Sequence, residues 1–240
     1  MDESYIVSVS GTSSVLQASF FPPIELNSQK HYVIGFVDLW SFNSIPNIFE
    51  GHNQIRFTSG NTVKTITLPT GNYELDHLAS ELKSRCAKEN IEFSLTSNEN
   101  TLKTTLRSNW DIDFKTEENT IRDLLGFKPD FYIKEKNHES ENIVNIIAIN
   151  SIKIECSIAT GSYHNGQLVH TLHEFFPEVP STYKIIESPS QVIYIPLTAV
   201  RTIDNIEFRL VDQEGRLVDF RGEEISLRVH IKSVNNGNSS

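Results

Sequence analysis

A dense cluster of charged side chains lies near the end of the chain, in the stretch "IEFRLVDQEGRLVDFRGEEISLRVHIK" from Ile206 to Lys232. Residues 212–224 carry five carboxylates, and four arginines lie in or around them. These residues are Asp212, Glu214, Asp219, Glu223 and Glu224, together with Arg209, Arg216, Arg221 and Arg228. Two carboxyl groups can cleave a glycosidic bond as an acid–base pair. That chemistry requires a cleft and one carboxyl group whose pKa is raised.

The hydrophobic pattern of the same stretch favours a structural role for these charges. Apolar and polar side chains alternate along residues 206–210 and again along residues 225–231. A two-residue period predicts two strands, each with one buried face and one solvated face. The segments "DQEG" and "RGEE" then supply turns. The carboxylates are therefore expected on solvent faces and at turns, where the arginines neutralise them, and not in an active site.

A second group of chemically capable residues lies in "YHNGQLVHTLHEFF", which contains His164, His170, His173 and Glu174. Imidazole and carboxylate groups bind metal ions, and metalloenzymes of the cupin type hold a metal on such strands. Their paired ligands lie two positions apart. His170 and His173 lie three apart and would point to opposite faces of a strand. The spacing disfavours a metal site, and a metal-dependent β-barrel enzyme using His164, His170 and Glu174 is kept as the least favoured alternative.

The two cysteines, Cys86 and Cys156, lie in a helical pattern and a strand pattern. We expect two buried free thiols, because two cysteines make no disulfide framework and a nucleophilic thiolate needs a basic partner. The sequence contains no nucleophile-elbow, P-loop or dinucleotide-binding glycine motif. No catalytic, metal-binding or cofactor-binding residue is therefore predicted, and no cofactor is expected.

Several aromatic side chains could form a ligand platform, although core filling is the commoner role. They are Trp40, Phe42, Phe49, Trp110, Phe175 and Phe176. The loop-like segment Ser41–Gly51 could present Phe49 outward. An exposed Phe49 or Phe131 would indicate a protein partner rather than a substrate.

Composition argues against several classes of protein. The 240 residues carry 21 basic and 31 acidic side chains, for a net charge of −10, and no basic run, which argues against sequence-independent nucleic-acid binding. The first residues lack a signal-peptide pattern, so secretion by that route is not expected. No apolar run approaches the ~20 residues that span a bilayer. We therefore expect a soluble protein made in a reducing compartment.

Short strands dominate the predicted secondary structure, roughly 10 to 12 of them, punctuated by prolines and polar turns. Clear candidates are Tyr5–Ser10, the apolar run His31–Phe42, expected to be buried on both faces, and a hairpin of Gln54–Phe57 with Val63–Leu68. The strand "VLQASFF" ends at Pro22-Pro23, which cannot lie in the centre of a sheet. The fold class predicted is all-β, a β-sandwich or jelly-roll barrel.

One amphipathic helix interrupts the strands in "TGNYELDHLASELKSRCAKEN", with Asn72 as its expected N-cap. Its apolar face consists of Leu75, Leu78, Ala79, Leu82 and Cys86. The segment "ENTIRDLLGF" predicts a helical turn capped by Asn119 and ended by Gly126. The polar segment Lys128–Asn142 is expected to be an exposed loop and the least ordered part of the chain.

Five stretches of this sequence resemble a known family. They are "LPTGNYELDHLASEL", "NTLKTTLRSNWDIDFKTEENTIRDLLGF", "IECSI", "ATGSYHNGQLVHTLHEFFP" and "VIYIPLTAVRTIDNIEFRLVDQEGRLVDFRGEEISLRVHIK". In order and wording they are similar to the minor capsid, or penton, protein of Polinton (Maverick) elements and adintovirus-like viruses. The similarity runs from Asn53 to Lys232, and residues 1–50 match no motif, so their role is open.

The resemblance implies a structural virion protein. The family's fold is a jelly roll, and its members form homopentamers at icosahedral capsid vertices, among trimers of the double jelly-roll major capsid protein. It implies one jelly-roll domain over residues 1–240, with a helix-containing insertion at about 70–130 and a frayed tail at 233–240. Two capsid-type jelly rolls would not fit this length, which disfavours the major capsid protein itself. The implied partners are further copies of the chain and the major capsid protein, with a spike or fibre left open.

Two other function classes stay open beside this one. The chain could be a jelly-roll module of a virion that binds a receptor or glycan, or the metal-dependent enzyme described above. For the penton, a ring requires one flank of each copy to meet a different flank of the next. We expect the Lys128–Asn142 loop to face outward, because its charges would be costly to desolvate. Its deletion should then leave the ring intact.

Overall fold

Strands make up most of the secondary structure in this computed structural model, which describes residues 3–147, 149–180, 183–198 and 201–234. The chain divides into two units, unit 1 (residues 1–45 and 149–240) and unit 2 (residues 46–148). The first ten strands are β1 (Ser4–Gly11), β2 (Val15–Glu25), β3 (His31–Phe42), β4 (Gln54–Ser59), β5 (Thr62–Thr67), β6 (Phe93–Asn98), β7 (Lys103–Ser108), β8 (Asp111–Asp113), β9 (Phe131–Tyr132) and β10 (His138–Glu139). The strands that follow are β11 (Ile152–Cys156), β12 (Ser162–His164), β13 (Gln167–Val169), β14 (Thr171–Phe175), β15 (Lys184–Glu187), β16 (Tyr194–Pro196), β17 (Thr202–Asp212) and β18 (Ile225–Val234). The helices are α1 (Leu75–Lys88) and α2 (Arg122–Leu125).

Unit 1 contains two larger antiparallel sheets and the short hairpin of β12 and β13. The first sheet has the order β1-β18-β3-β15, and β16 pairs with another part of β3. The second sheet has the order β14-β11-β17-β2. When β15 and β16 are taken as one interrupted strand, the chain visits eight strand positions in these two sheets and changes sheet at every step except from β11 to β14. Two four-stranded sheets connected in this way are typical of a jelly roll. The predicted all-β, jelly-roll class is confirmed.

The core of unit 1 lies between the inner faces of these sheets. Ile206, Phe208 and Leu210 of β17 are fully buried, as the predicted alternation requires. The same holds for β18, whose buried residues are Ile225, Leu227, Val229 and Ile231. Strand β18 continues through Ser233 to Val234, and the remainder of the predicted tail, 235–240, lies outside the described residues.

Strand β3 has the predicted bounds and lies between β18 and the pair β15 and β16. Its inner face, with Ile34, Phe36 and Leu39, is buried. Its outer face is covered only in part. Gly35 is buried there beneath Tyr194, whose ring carbons would lie 3.0 Å from an added Cβ. Burial on both faces was thus predicted correctly only at Gly35, whereas Val33, Asp38 and Trp40 are half-buried.

Unit 2 contains the sheets β5-β4-β8-β9 and β10-β7-β6 and has its own hydrophobic core. The predicted hairpin of β4 and β5 is confirmed. Leu78, Leu82 and Cys86 of α1 are buried, as their spacing predicted. The insertion predicted at about 70–130 lies inside this unit, and the description of residues 1–240 as one jelly-roll domain stays a prediction. In the described part of the chain, neither helix is long and apolar enough to cross a membrane.

Both predicted helix N-caps are wrong by two residues. Helix α1 begins after Glu74 rather than Asn72, and α2 begins after Ile121 rather than Asn119. The predicted end of α2 is confirmed, because Gly126 adopts a left-handed conformation with φ of 82°. The sequence prediction relied on the local preference of Asn for N-cap positions, and that preference does not determine where a helix begins. The register of the buried helix face fixes where the first turn can begin.

The segment Lys128–Asn142 is more ordered than predicted. It contains β9 and β10, which pair with β8 and β7. Tyr132 is buried, with its ring 5.7 Å and 5.1 Å from the rings of Phe114 and Phe127. Ser140 is buried too, and its hydroxyl accepts a 3.1 Å hydrogen bond from the backbone N–H of Thr104. Most of the segment is exposed, as predicted, but the low order predicted for it is wrong, because Tyr132 and Ser140 anchor it to the core of unit 2.

Candidate functional site

The charged closing stretch forms a turn around the carboxylate of Asp212. Asp212 is buried, contrary to the prediction that these carboxylates lie in solvent, and its Oδ2 accepts a 2.7 Å hydrogen bond from Nε of Arg216. Its Oδ1 accepts bonds of 2.9 Å from the backbone N–H groups of Glu214 and Arg216. Burial alone would raise the pKa of Asp212, but the bonds from Arg216 and Glu214 hold that pKa below its ordinary value. A general acid needs the opposite shift, so the lowered pKa disfavours that role for Asp212.

The side chains of His170, His173 and Glu174 have separate hydrogen-bond partners. Nε2 of His173 lies 2.8 Å from Oε1 of Glu187, and Nδ1 of His170 lies 2.7 Å from the carbonyl oxygen of Ala159. Glu174 accepts a 2.7 Å hydrogen bond from the hydroxyl of Ser151. Across the described residues, no group of three or more histidine, cysteine, aspartate or glutamate side chains could hold a metal ion. The structure thus does not assemble His164, His170 and Glu174 into a metal centre.

The two cysteines are free and buried, as predicted. Burial raises the pKa of Cys86 to about 12 and that of Cys156 to about 11. Both thiols are therefore protonated at neutral pH, which disfavours a nucleophilic role.

The aromatic residues singled out in the sequence have divided roles. Phe175 fills the core, whereas Phe176 is 65% exposed and Phe42 is 41% exposed. The others, Trp40, Phe49 and Trp110, are half-buried. Lys184 lies over the Trp40 ring, with Nζ 4.2 Å from its centroid. Phe131 is 48% exposed, and Nζ of Lys115 lies 5.8 Å from its ring centroid.

Strand β2 carries an exposed aromatic side chain on one flank of unit 1. This strand is the edge of the second sheet, and its pairing with β17 is interrupted between Ser19–Asn205 and Ile24–Ile203. Residues 20–23 therefore bulge opposite Asp204 alone. Phe21 is fully exposed at this bulge, and it is followed by Pro22 and Pro23. We call these three residues the knob.

The opposite flank of unit 1 carries a groove, between the end of β14 and β15. Its volume is about 370 Å³. The apolar lining includes Phe176, Pro177, Val179, Ile185 and Ile186, and the acidic lining consists of Glu174, Glu178 and Glu187. Phe176 and Ile186 are 65% and 70% exposed. We call this site the flank groove.

Both features share a sequence signal that the pattern analysis missed. The tripeptide Phe-Phe-Pro occurs at residues 20–22 and again at residues 175–177. Successive side chains of a strand point to opposite faces, so two adjacent phenylalanines cannot both enter the core. In each pair the first ring packs inward or is half-buried and the second is exposed. A following proline, which lacks an N–H, marks an edge or an end of the strand.

Comparison with known proteins supports the fold. No protein-family model matches the chain, and no curated protein matches it. The crystal structure of the selenomethionine-labelled mavirus penton protein matches 98% of this chain and 100% of that one, with a TM-score of 0.51 and 10% sequence identity. At this identity the likeness establishes a shared fold, and the resemblance to penton proteins that the sequence motifs indicated is confirmed at that level.

Proposed function

We propose that this chain is a penton, or minor capsid, protein of a Polinton (Maverick) element or an adintovirus-like virus. In this function it is a structural subunit that forms homopentamers at the icosahedral vertices, among trimers of the major capsid protein. It works in the virion, after assembly inside the host cell, and carries out no reaction. The observation that carries the proposal is the fold shared with a penton protein over 98% of the chain.

The chemistry of the described residues supports a structural role. The carboxylate inside the closing turn has a lowered pKa, the thiols have raised ones, and the histidines are distributed among separate partners. A net charge of −10 disfavours lining the genome, where neutralised phosphates provide most of the binding energy.

Exposed apolar side chains in unit 1 support assembly. Phe21 and the flank groove lie on opposite flanks, and a further apolar side chain, Ile6, is 72% exposed on the outer face of the first sheet. A contiguous apolar patch on a folded domain commonly marks a contact with another protein, and the apolar lining of the flank groove is such a patch. By contrast, the outer face of the second sheet carries paired polar groups, such as Gln17 with Glu207 at 2.6 Å and Arg209 with Glu155 at 3.3 Å.

The native mass of the purified full chain tests the proposal. One copy has a mass of 27.3 kDa, and the penton assignment predicts a particle of five copies by native mass spectrometry or light scattering. Three copies would indicate a different capsid role. A monomer that binds glycans would replace the proposal with a receptor-binding module.

A second experiment tests whether this chain occupies the vertices of the capsid. Co-expression with the major capsid protein of the same element should yield particles in which electron cryomicroscopy shows this chain at the vertices. Particles with empty vertices, or with this chain elsewhere, would contradict the assignment.

A further inference from the structure

We propose that the knob of one copy inserts into the flank groove of a second copy, which makes a head-to-tail contact between subunits. Phe21 is the anchor, and the apolar lining around Phe176 and Ile186 receives it. The proposal rests on the self-assembly stated above and specifies the surfaces through which it occurs.

The topology of the second sheet places the two surfaces correctly for a ring. In the order β14-β11-β17-β2, the knob strand β2 and the groove strand β14 are the two edges. A closed ring with more than two copies needs a heterologous interface, in which different surfaces of neighbouring copies meet. Two complementary surfaces at opposite edges of one sheet satisfy this requirement, because each copy can use both at once.

The knob is suited to a contact through side chains. Pro22 and Pro23 have no N–H groups, so this part of β2 cannot accept another strand by continuing the backbone ladder. The rings of the two prolines also restrict the backbone around Phe21, which lowers the entropic cost of fixing the aromatic ring on binding. A fully exposed phenylalanine held in this way has the properties of an interface anchor.

The flank groove matches the knob in size and polarity. A cavity of ~150 Å³ accommodates benzene in other proteins, so a groove of about 370 Å³ has room for the Phe21 ring and part of a flanking proline. Its floor is apolar, with Ile185 buried and Ile186 exposed. Desolvation of these surfaces against one another would provide the main attraction.

Charge complements this apolar contact. Glu174 and Glu178 are exposed at the rim of the flank groove, whereas Glu187 is paired with His173. On the knob flank, Arg201 is exposed at the end of the β2–β17 ladder, where its carbonyl accepts a 2.9 Å hydrogen bond from the N–H of Leu26. Within the described ranges no ion pair engages Arg201. Arg201 is therefore available to form an ion pair with Glu174 or Glu178 of the second copy. Such a pair would belong to a polar rim around the apolar contact of Phe21.

Cysteine cross-linking between two variants of the full chain tests the contact. One protein carries Phe21→Cys, the other carries Ile186→Cys and a mass tag, and the two are mixed under mild oxidation. Cys86 and Cys156 are buried and should not react. We expect disulfide-linked pairs containing one copy of each variant, and little linkage in either variant alone. Abundant Phe21→Cys homodimers would instead indicate a two-fold contact between knobs and would overturn the proposal.

Truncation of the anchor gives an independent measurement. Phe21→Ala should raise the protein concentration needed for half-assembly by roughly 10- to 100-fold, the range expected for an interface anchor. The control is Leu217→Ala, which shortens another exposed apolar side chain, in the turn region between β17 and β18. Assembly unchanged by Phe21→Ala, with no mixed cross-link, would refute this contact while leaving a five-copy wild-type ring intact. A monomeric wild type would instead refute the proposed function.

Discussion

Nε2 of His173 lies 2.8 Å from Oε1 of Glu187, and this contact joins the edge strand β14 of the second sheet to the edge strand β15 of the first. The imidazole ring also stacks on Phe36, with centroids 4.3 Å apart and planes inclined by 12°. One histidine of the YHNGQLVHTLHEFF stretch thus links the two sheets at an edge of the jelly roll. The hydrogen bond to Glu187 and the stacking on Phe36 both connect β14 of the second sheet to strands of the first sheet.

Replacement of His173 should separate these two contributions. His173→Ala removes both the stacking and the hydrogen bond, and we expect it to lower the free energy of unfolding by about 2–4 kcal/mol. His173→Phe keeps an aromatic ring beside Phe36 and should cost less. Urea unfolding measures both values. Equal losses for the two variants would show that the hydrogen bond to Glu187 provides all of the stabilisation.

Asp212 should make stability depend on acid pH. Its folded-state pKa is lowered, so the unfolded state binds its proton more readily as the solution is acidified. The stabilisation that ionised Asp212 provides is therefore fully present above its unfolded-state pKa of ~3.9. It is lost as the pH falls through the lower pKa that Asp212 has in the folded state. Asp212→Asn should cost about 1–3 kcal/mol near neutral pH and less in acid. Denaturation curves across this pH range should therefore converge for the variant and the wild type. Parallel curves would contradict the assigned pairing with Arg216.

Gly126 should be far less replaceable than another glycine with similar backbone geometry. It has φ of 82°, and an added Cβ would lie 2.4 Å from the carbonyl oxygen of Asn142. Gly166 has φ of 80°, but nothing lies within 4 Å of its Cβ position. Gly166→Ala should cost only the ~1 kcal/mol of the left-handed conformation, whereas Gly126→Ala should cost clearly more, because backbone has to move. Thermal unfolding of the two variants compares them, and equal losses would rule out the steric argument.

Tyr132 should be essential to unit 2 although it lies in a polar segment. Its hydroxyl lies 3.1 Å from Oε1 of Glu141, and its ring packs against Phe114 and Phe127. Tyr132→Ala should lower the free energy of unfolding by about 3–5 kcal/mol, as expected for a large buried aromatic side chain. Lys136→Ala, in the exposed part of the same segment, should change it by less than ~0.5 kcal/mol.

The same contacts change what a deletion of Lys128–Asn142 can show. Removing the whole segment should disrupt the core of unit 2, so loss of assembly in that variant would not identify an interface. The outward orientation predicted for the segment is better tested with charge-reversing substitutions such as Lys136→Glu, which should leave the oligomeric state unchanged. Dissociation of the oligomer by Lys136→Glu would place this part of the segment in an interface.

Local patterns in the sequence predicted the main strands, the buried face of α1 and the fold class, but not the helix N-caps or strands β9 and β10. The alternation along β17 and β18 predicted which side chains enter the core, because side-chain direction in a strand follows from backbone geometry alone. The spacing of Leu78, Leu82 and Cys86 predicted the buried face of α1 for the same kind of reason. The buried cysteines and the left-handed Gly126 also follow from neighbours close in the chain.

Pairing between strands that are distant in the sequence determined which strands lie at the sheet edges, and therefore which side chains near them are buried or exposed. Asp212 and Tyr132 are buried because residues far away in the sequence pack over them. Phe21 and Phe176 are exposed because no distant segment covers them within the described residues. The two Phe-Phe-Pro tripeptides look alike in the linear chain. The tripeptide at residues 20–22 forms the knob and the one at residues 175–177 lines the flank groove, because sheet order places them at opposite edges of the second sheet. Strand β15 of the first sheet lies beside residues 175–177 and forms the other wall of the groove. Sheet order is set by the packing of the whole core, so no short window of sequence contains it.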